Sequence, residues 1–195
     1  MNKKLLLSAA LFMFLVRPAS AAEYKIDKDH TSIGFSVKHM VISNVKGHFT
    51  DFSGGFSFDD KTKTFSGASL AIKAASINTN VTDRDRHLRS ADFLDAEKFP
   101  EITFTLKKSK ALGGNDLRVT GDLAIHGVTK EIVLEGEYLG SAKDPKGNQR
   151  AGFTATGKIN RGDFGLKWNQ LLEAGGVVVG EEVKLLIEAE GILDK

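Results

Sequence analysis

The chain has 195 residues, 27 basic and 25 acidic, for a formal net charge of +2, and no cysteine. The lack of cysteine excludes a disulfide framework and any thiolate-based metal site. A charge balance this even, with no concentrated basic run, gives no footprint of a nucleic-acid binder.

At the N-terminus Lys3 and Lys4 precede the apolar run Leu5 to Val16, and Ala19-Ser20-Ala21 supplies the small residues of a cleavage site. A run of twelve residues is too short to cross a bilayer as a helix, so residues 1–21 read as a secretory signal peptide. Cleavage is expected after Ala21 or, as second choice, after Ala22. Lys3, Lys4 and Arg17 leave with the leader, so 24 basic and 25 acidic residues remain. The mature chain, residues 22–195, suits a single domain with no transmembrane segment and no lipobox cysteine to acylate.

From there the apolar residues alternate. Ile33, Phe35 and Val37 share one parity, followed by Phe56 and Phe58 after Gly54-Gly55, and by the run Phe65 to Ile72. Ile102, Phe104 and Leu106 repeat the pattern, as do Leu117, Val119, Leu123 and Ile125. Ile132, Leu134 and Tyr138 come next, then Ala151, Phe153, Ala155 and Ile159, then Val183, Leu185, Ile187 and Ala189. Period 2 with one apolar face predicts antiparallel strands solvated on one side. Gly113-Gly114-Asn115-Asp116 and His126-Gly127-Val128 read as tight turns between them. About eight strands result, at the spacing of a sandwich or barrel, and glycines within the strands permit the coiling that closes a barrel.

Three stretches break the pattern. Met40 to Lys46 reads as irregular or a single helical turn. Thr82 to Phe99 is predicted as the one helix, stopped by Pro100, with Asp83/His87 and Asp85/Arg89 spaced to pair along a face. Arg161 to Gly180 holds a short turn and a glycine-rich apolar segment. Eleven of the thirteen phenylalanines lie in the mature chain. A phenylalanine-rich packed core and a hollow around a slender apolar guest both satisfy that composition.

Catalytic signatures are lacking. None of His30, His39, His48, His87 and His126 has the tight spacing of a metal motif, and no nucleophile elbow, Walker loop or dinucleotide fingerprint is present. No metal, no cofactor and no enzymatic activity are therefore expected.

Six stretches in order resemble the YceI-like family of exported polyisoprenoid-binding proteins. They begin with EYKIDKDHTSIGFSVKHM (Asp27, His30, Phe35, His39) and VKGHFTDFSGGFSF (Gly47, Phe49, Phe52, Gly55). The most specific is NTNVTDRDRHLRSADFLDAEKFPEITF, followed by LRVTGDLAIHGVTKEIVLEGEYLG, RAGFTATGKINRGDFG and VKLLIEAEG. The similarity runs from Glu23 to Gly191, with Thr31 standing where serine is common. It implies a lipocalin-like antiparallel barrel with a helix near one end, a periplasmic location and a hydrophobic tunnel for a polyprenyl or quinone-type lipid.

Under that resemblance, the apolar parity nominates Phe35, Val37, Phe104, Leu106, Leu123, Ile125, Leu134 and Phe153 as tunnel residues. Phe49, Phe52, Phe93, Phe164 and Trp168 are nominated from the bends and connections. Arg84, Arg86, His87 and Arg89 are candidates to meet a head group, against the plainer reading of a solvated, self-paired helix. Three functions compete: a carrier of a long isoprenoid or similar amphiphile, a lipid- or quinone-modifying enzyme using His39 or His87, and a packed, stress-related interaction module. A homodimer is compatible with each.

Overall fold

The computed structural model describes residues 21–172 and 176–194. The predicted leader, residues 1–21, lies almost entirely outside the described residues, as do three residues of the glycine-rich segment.

Eleven antiparallel strands form one sheet: β1 (Ala22–Ile26), β2 (Ser32–His39), β3 (Ser43–Phe49), β4 (Phe52–Asp59), β5 (Thr64–Lys73), β6 (Ile77–Asn78), β7 (Glu101–Gly113), β8 (Asp116–Ile125), β9 (Val128–Lys143), β10 (Gln149–Asn160) and β11 (Val179–Leu193). The order β1-β4-β5-β7-β8-β9-β10-β11 returns to β1, which closes a barrel of eight strands. Closure leaves that ring without unpaired edges.

The difference between eleven strands and the expected eight has a simple origin. β2 continues β1 after a short 3-10 turn (Lys28–His30), β3 precedes β4, and β6 continues β5 after a second turn (Ala74–Ser76). The pairs β2–β3 and β3–β6 therefore prolong the pairs β1–β4 and β4–β5 past one end of the ring. The three interruptions lie side by side, stitched by Thr50 N–H donating to Ser76 O (3.1 Å) and Lys73 N–H donating to Asp51 O (2.9 Å). A break in one strand loses ladder bonds. The breaks after β3 and β5 recover them from each other, and the break after β1 recovers them from β11, where Asp27 N–H donates to Glu190 O (2.8 Å).

The alternation seen in the sequence is the burial pattern. Along β8, Leu117, Val119, Gly121, Leu123 and Ile125 are buried and the residues between them are more exposed. The turn His126-Gly127 has positive φ at both residues (51° and 75°), the geometry a two-residue hairpin of matched twist requires.

Two expectations change. The helix α1 spans only Thr82–Arg89. Ser90 is extended, its hydroxyl donates to His87 O (2.8 Å), and a series of turns follows to Pro100. This early stop turns Phe93 and Leu94 into the core. The segment expected to be irregular, Met40 to Lys46, is a tight turn at Met40–Ile42 followed by β3.

Candidate functional site

The barrel interior is filled at one end and hollow beyond. Tyr24, Phe56, Phe58, Phe65, Tyr138 and Phe153 form an aromatic plug, with ring centroids of neighbouring pairs 4.8–5.6 Å apart. Edge-on and tilted contacts of this kind pack densely and add to area burial.

Past the plug lies a cavity of about 310 Å³. It starts at Phe56, Phe65 and Phe153 and extends between β2, β3 and β11 to Val37 and Val179. Leu88, Phe93 and Leu94, from α1 and the turns behind it, cover one side. Apart from the side chains of Thr31, Ser69 and Arg161, its wall is aliphatic and aromatic carbon. A chamber with so few polar partners cannot hold water favourably and favours an apolar occupant.

Glycines make the room. An ideal Cβ on Gly47 would lie 2.5 Å from the Phe35 ring, and one on Gly121 would lie 2.4 Å from the Phe104 ring. Phe35 is directly opposite Gly47 in the β2–β3 register. Each ring therefore lies flat over the neighbouring strand instead of standing into the lumen.

Nine of the nominated tunnel residues line this cavity: Phe35, Val37, Phe49, Phe93, Phe104, Leu123, Ile125, Leu134 and Phe153. Four do not. Phe52 and Phe164 are buried in the surrounding core, Leu106 packs against that core half-buried, and Trp168 lies outside against Phe93 and His87. Period 2 identifies the face a residue occupies but not its level along the barrel, which is why parity alone included Leu106.

The helix residues are committed to local structure. Asp85, buried, accepts from the Thr79 amide (2.8 Å) and hydroxyl (2.5 Å). Arg84 donates to Thr79 Oγ1 and O, and Arg89 to Ile77 O at 3.0 Å. Arg86 pairs with Asp83, and His87 with Asp92 at 2.9 Å. The expected Asp83/His87 and Asp85/Arg89 pairs do not form, because α1 spends its polar side chains on β6 and on the following turns. None of the four head-group candidates is on the cavity wall.

The charged side chain that is on that wall is Arg161, which sequence reading passed over as part of a turn. It is 5 % exposed. It donates to the carbonyls of Gly180 (2.9 Å), Leu166 (2.5 Å), Trp168 (2.8 Å) and Val179 (3.4 Å), with no carboxylate paired to it among the described residues. Burial lowers its pKa, but a guanidinium keeps its charge in proteins. The cation therefore ties the segment before β11 to the barrel beside the cavity.

At the opposite end of β10 and β11, Arg150 donates to Asp27, Asp144 and Glu190. Ligand atoms of Asp27, His30 and Glu190 lie within 4.8 Å of one another, close enough for a metal ion. The Arg150 guanidinium already bonds two of them, so the cluster works as an ion-pair latch. Among the described residues no helix is long and apolar enough to cross a membrane.

The YceI-like domain model matches residues 24–191. Protein YceI of Escherichia coli is 43% identical over the whole of both chains. The crystal structure of a Campylobacter jejuni YCEI protein is 38% identical, covers 87% of this chain and 96% of its own, and superposes with a TM-score of 0.68. A polyisoprenoid-binding domain from Saccharophagus degradans shares the fold at 18% identity, with a TM-score of 0.63 over 89% of this chain and 99% of that one.

Proposed function

The chain belongs to the YceI-like family, and from that footing we propose that it carries or stores a long apolar amphiphile of polyisoprenoid or isoprenoid-quinone type without transforming it. The observation that carries this reading is the apolar cavity of about 310 Å³ with, among the described residues, one charged side chain on its wall. That volume is at the lower end of about 300–1,000 Å³ found for small-molecule sites, which favours a slender chain over a fused ring system. The Saccharophagus degradans domain, described as polyisoprenoid-binding, supports the ligand class through its fold alone.

Affinity grows with the length of chain taken in. At about −0.3 kcal/mol per heavy atom, twenty carbons give about −6 kcal/mol and forty about −12 kcal/mol, the latter near nanomolar. Only the longer guest survives purification. A polar end group would sit beside Arg161, whose remaining N–H and uncompensated charge favour an anion or a phenolic oxygen.

Among the described cavity-lining residues there is no His, Asp, Glu, Lys, Cys or Tyr, so none of them offers an occupant a general acid or base. His39 and His87, the side chains an enzyme reading would use, lie off the wall. This favours a carrier over an enzyme, and the hollow itself favours a carrier over a packed interaction module. The carrier reading includes export to the periplasm, with N-terminal sequencing of the mature protein giving a start at Ala22 or Glu23.

Native mass spectrometry before and after organic extraction tests the proposal. A stoichiometric, extractable polyprenyl lipid is expected. An empty protein with no affinity for hydrophobic fluorescent probes would overturn it.

A further inference from the structure

The turn joining β2 to β3 carries the residues a solvent-exposed turn ordinarily avoids. Met40, Val41 and Ile42 are 37 %, 71 % and 83 % exposed. Met40 and Val41 also have positive φ (50° and 64°), a conformation that β-branched residues resist and that Gly, Asn or Asp would take without strain. The turn thus combines a strained backbone with aliphatic side chains facing outwards.

A second chain segment extends the patch. Met40 N–H donates to Val178 O (2.9 Å), and Val178 N–H donates to Gln170 O (3.0 Å), so the turn, residues 177–179 and residues 169–172 lie side by side. Leu171, 81 % exposed, stands on that third segment. The patch is continuous with the hollow: Val37 and Val179 line the cavity, and Val179 pairs with His39, the residue before the turn.

On the β2 and β3 side of the patch the charge has one sign. Between His30 and Asp51 the chain has Lys38, His39, Lys46 and His48 and no carboxylate. Lys38 and Lys46 are exposed and join no ion pair among the described residues. At the start of β11 Glu182 is paired with Lys158 (3.1 Å), while Glu181 accepts from the neutral Asn160 amide (3.3 Å) and leaves one negative charge against the two lysines.

We propose that this tip is a docking surface for an anionic lipid bilayer, with Val41, Ile42 and Leu171 entering the interface and Lys38 and Lys46 meeting head groups. Four aliphatic side chains fall well short of the roughly 800 Å² a side that a specific protein interface buries. They suit a fluid interface, where no matching shape is required and apolar area and basic charge add together. Docked in this way, the barrel points the cavity end formed by Val37 and Val179 at the membrane. The use of that alignment rests on the carrier reading, whereas the docking itself does not.

The test is flotation of the mature protein with phosphatidylcholine vesicles, with and without phosphatidylglycerol. Wild type should float with the mixed vesicles and be released by salt. The double variant Val41→Asn, Ile42→Asn should lose about tenfold or more in partitioning, and Lys38→Glu, Lys46→Glu should lose binding to mixed vesicles selectively. Thermal melting checks each fold, and Ile42→Ser with Leu171→Ser serves as a second apolar variant. Wild type that ignores both vesicle types overturns the proposal, as does undiminished flotation of both apolar variants. So does a wild-type dimer that ignores vesicles and is split by the turn variant. Lipid extraction of the same samples separates the two ideas: a filled barrel that never floats removes docking alone, and a floating barrel that is always empty removes carriage alone.

Discussion

At Gly47 and Gly121 a missing Cβ decides where a phenylalanine ring lies. Replacing Gly47 with Val drives a side chain into Phe35 and Thr79, where a Cβ would already be 2.5–2.8 Å from its neighbours. The expected cost is about 1–3 kcal/mol in urea unfolding, with probe binding weakened as Phe35 is pushed inwards. Gly67→Ala is the control: its nearest neighbour would be 3.6 Å away, so stability should stay level or rise by about 0.5 kcal/mol. Arg161→Met removes the donor to four carbonyls. A loss of about 2–3 kcal/mol is expected, together with faster proteolysis of residues 165–179, and Lys should not restore the planar fork. Period 2 made the apolar wall legible, Phe35, Phe104 and Leu123 included. Arg161 was not legible, since a buried cation held by backbone carbonyls from another segment has no local signature.

The polar hub of α1 is Asp85. Asp85→Ala should cost about 2 kcal/mol and raise amide exchange across Thr82–Phe99 before any other part, because Thr79 loses its acceptor. If exchange rises uniformly, α1 is no separate unit. The latch on β10 and β11 should show itself through pH. Hydrogen bonds from Asn148, then Arg150, hold the Asp144 carboxyl far below its ordinary 3.8. For Asp27, burial pushes the pKa up, but bonds from Arg150, His30 and the Asp29 amide outweigh it and leave the pKa lowered. The hydrogen bond to Asp27 raises His30 above 6.5. The carboxylates' contribution is complete above their unfolded values and disappears as pH falls through the folded ones. The histidine's is complete below its unfolded value and disappears as pH rises through the folded one. Melting temperature should therefore peak between about pH 4 and about pH 6.5, and Arg150→Ala should flatten the acid side of that peak. Helix length was overestimated from sequence because the residues after Ser90 keep helical composition while Ser90 itself takes the extended backbone. The turns beyond it close through Asp95 N–H donating to Ser90 O (2.9 Å) and Leu94 N–H donating to Leu88 O (3.1 Å), bonds that composition does not announce.

For the molecule as a whole, the division between plug and hollow sets what it can hold. Phe153 stands at the boundary, in contact with Phe56, Phe58, Phe65 and Tyr138. Phe153→Leu should cost about 1–2 kcal/mol through the void it leaves and shift the extracted lipid towards longer chains. A lipid of unchanged length would mean that the plug does not measure the guest. The strand pattern leaves sandwich and barrel open, and the strand glycines and the family resemblance point to the barrel. Its three aligned breaks are not legible, because a break costs a few ladder bonds locally and is repaired only by strands distant in sequence.

Because β1 is held on one side by β4 and on the other by the final residues of β11, with Tyr24 opposite Leu193, the ring needs both ends of the chain at once. A polypeptide that emerges N-terminus first, from a ribosome or a translocation channel, stays an unclosed curl until its last stretch is free. Closing on residues so far apart is slow. During that interval the inner surface is accessible to any greasy molecule nearby, so the guest met at the moment of closure can be the first one enclosed.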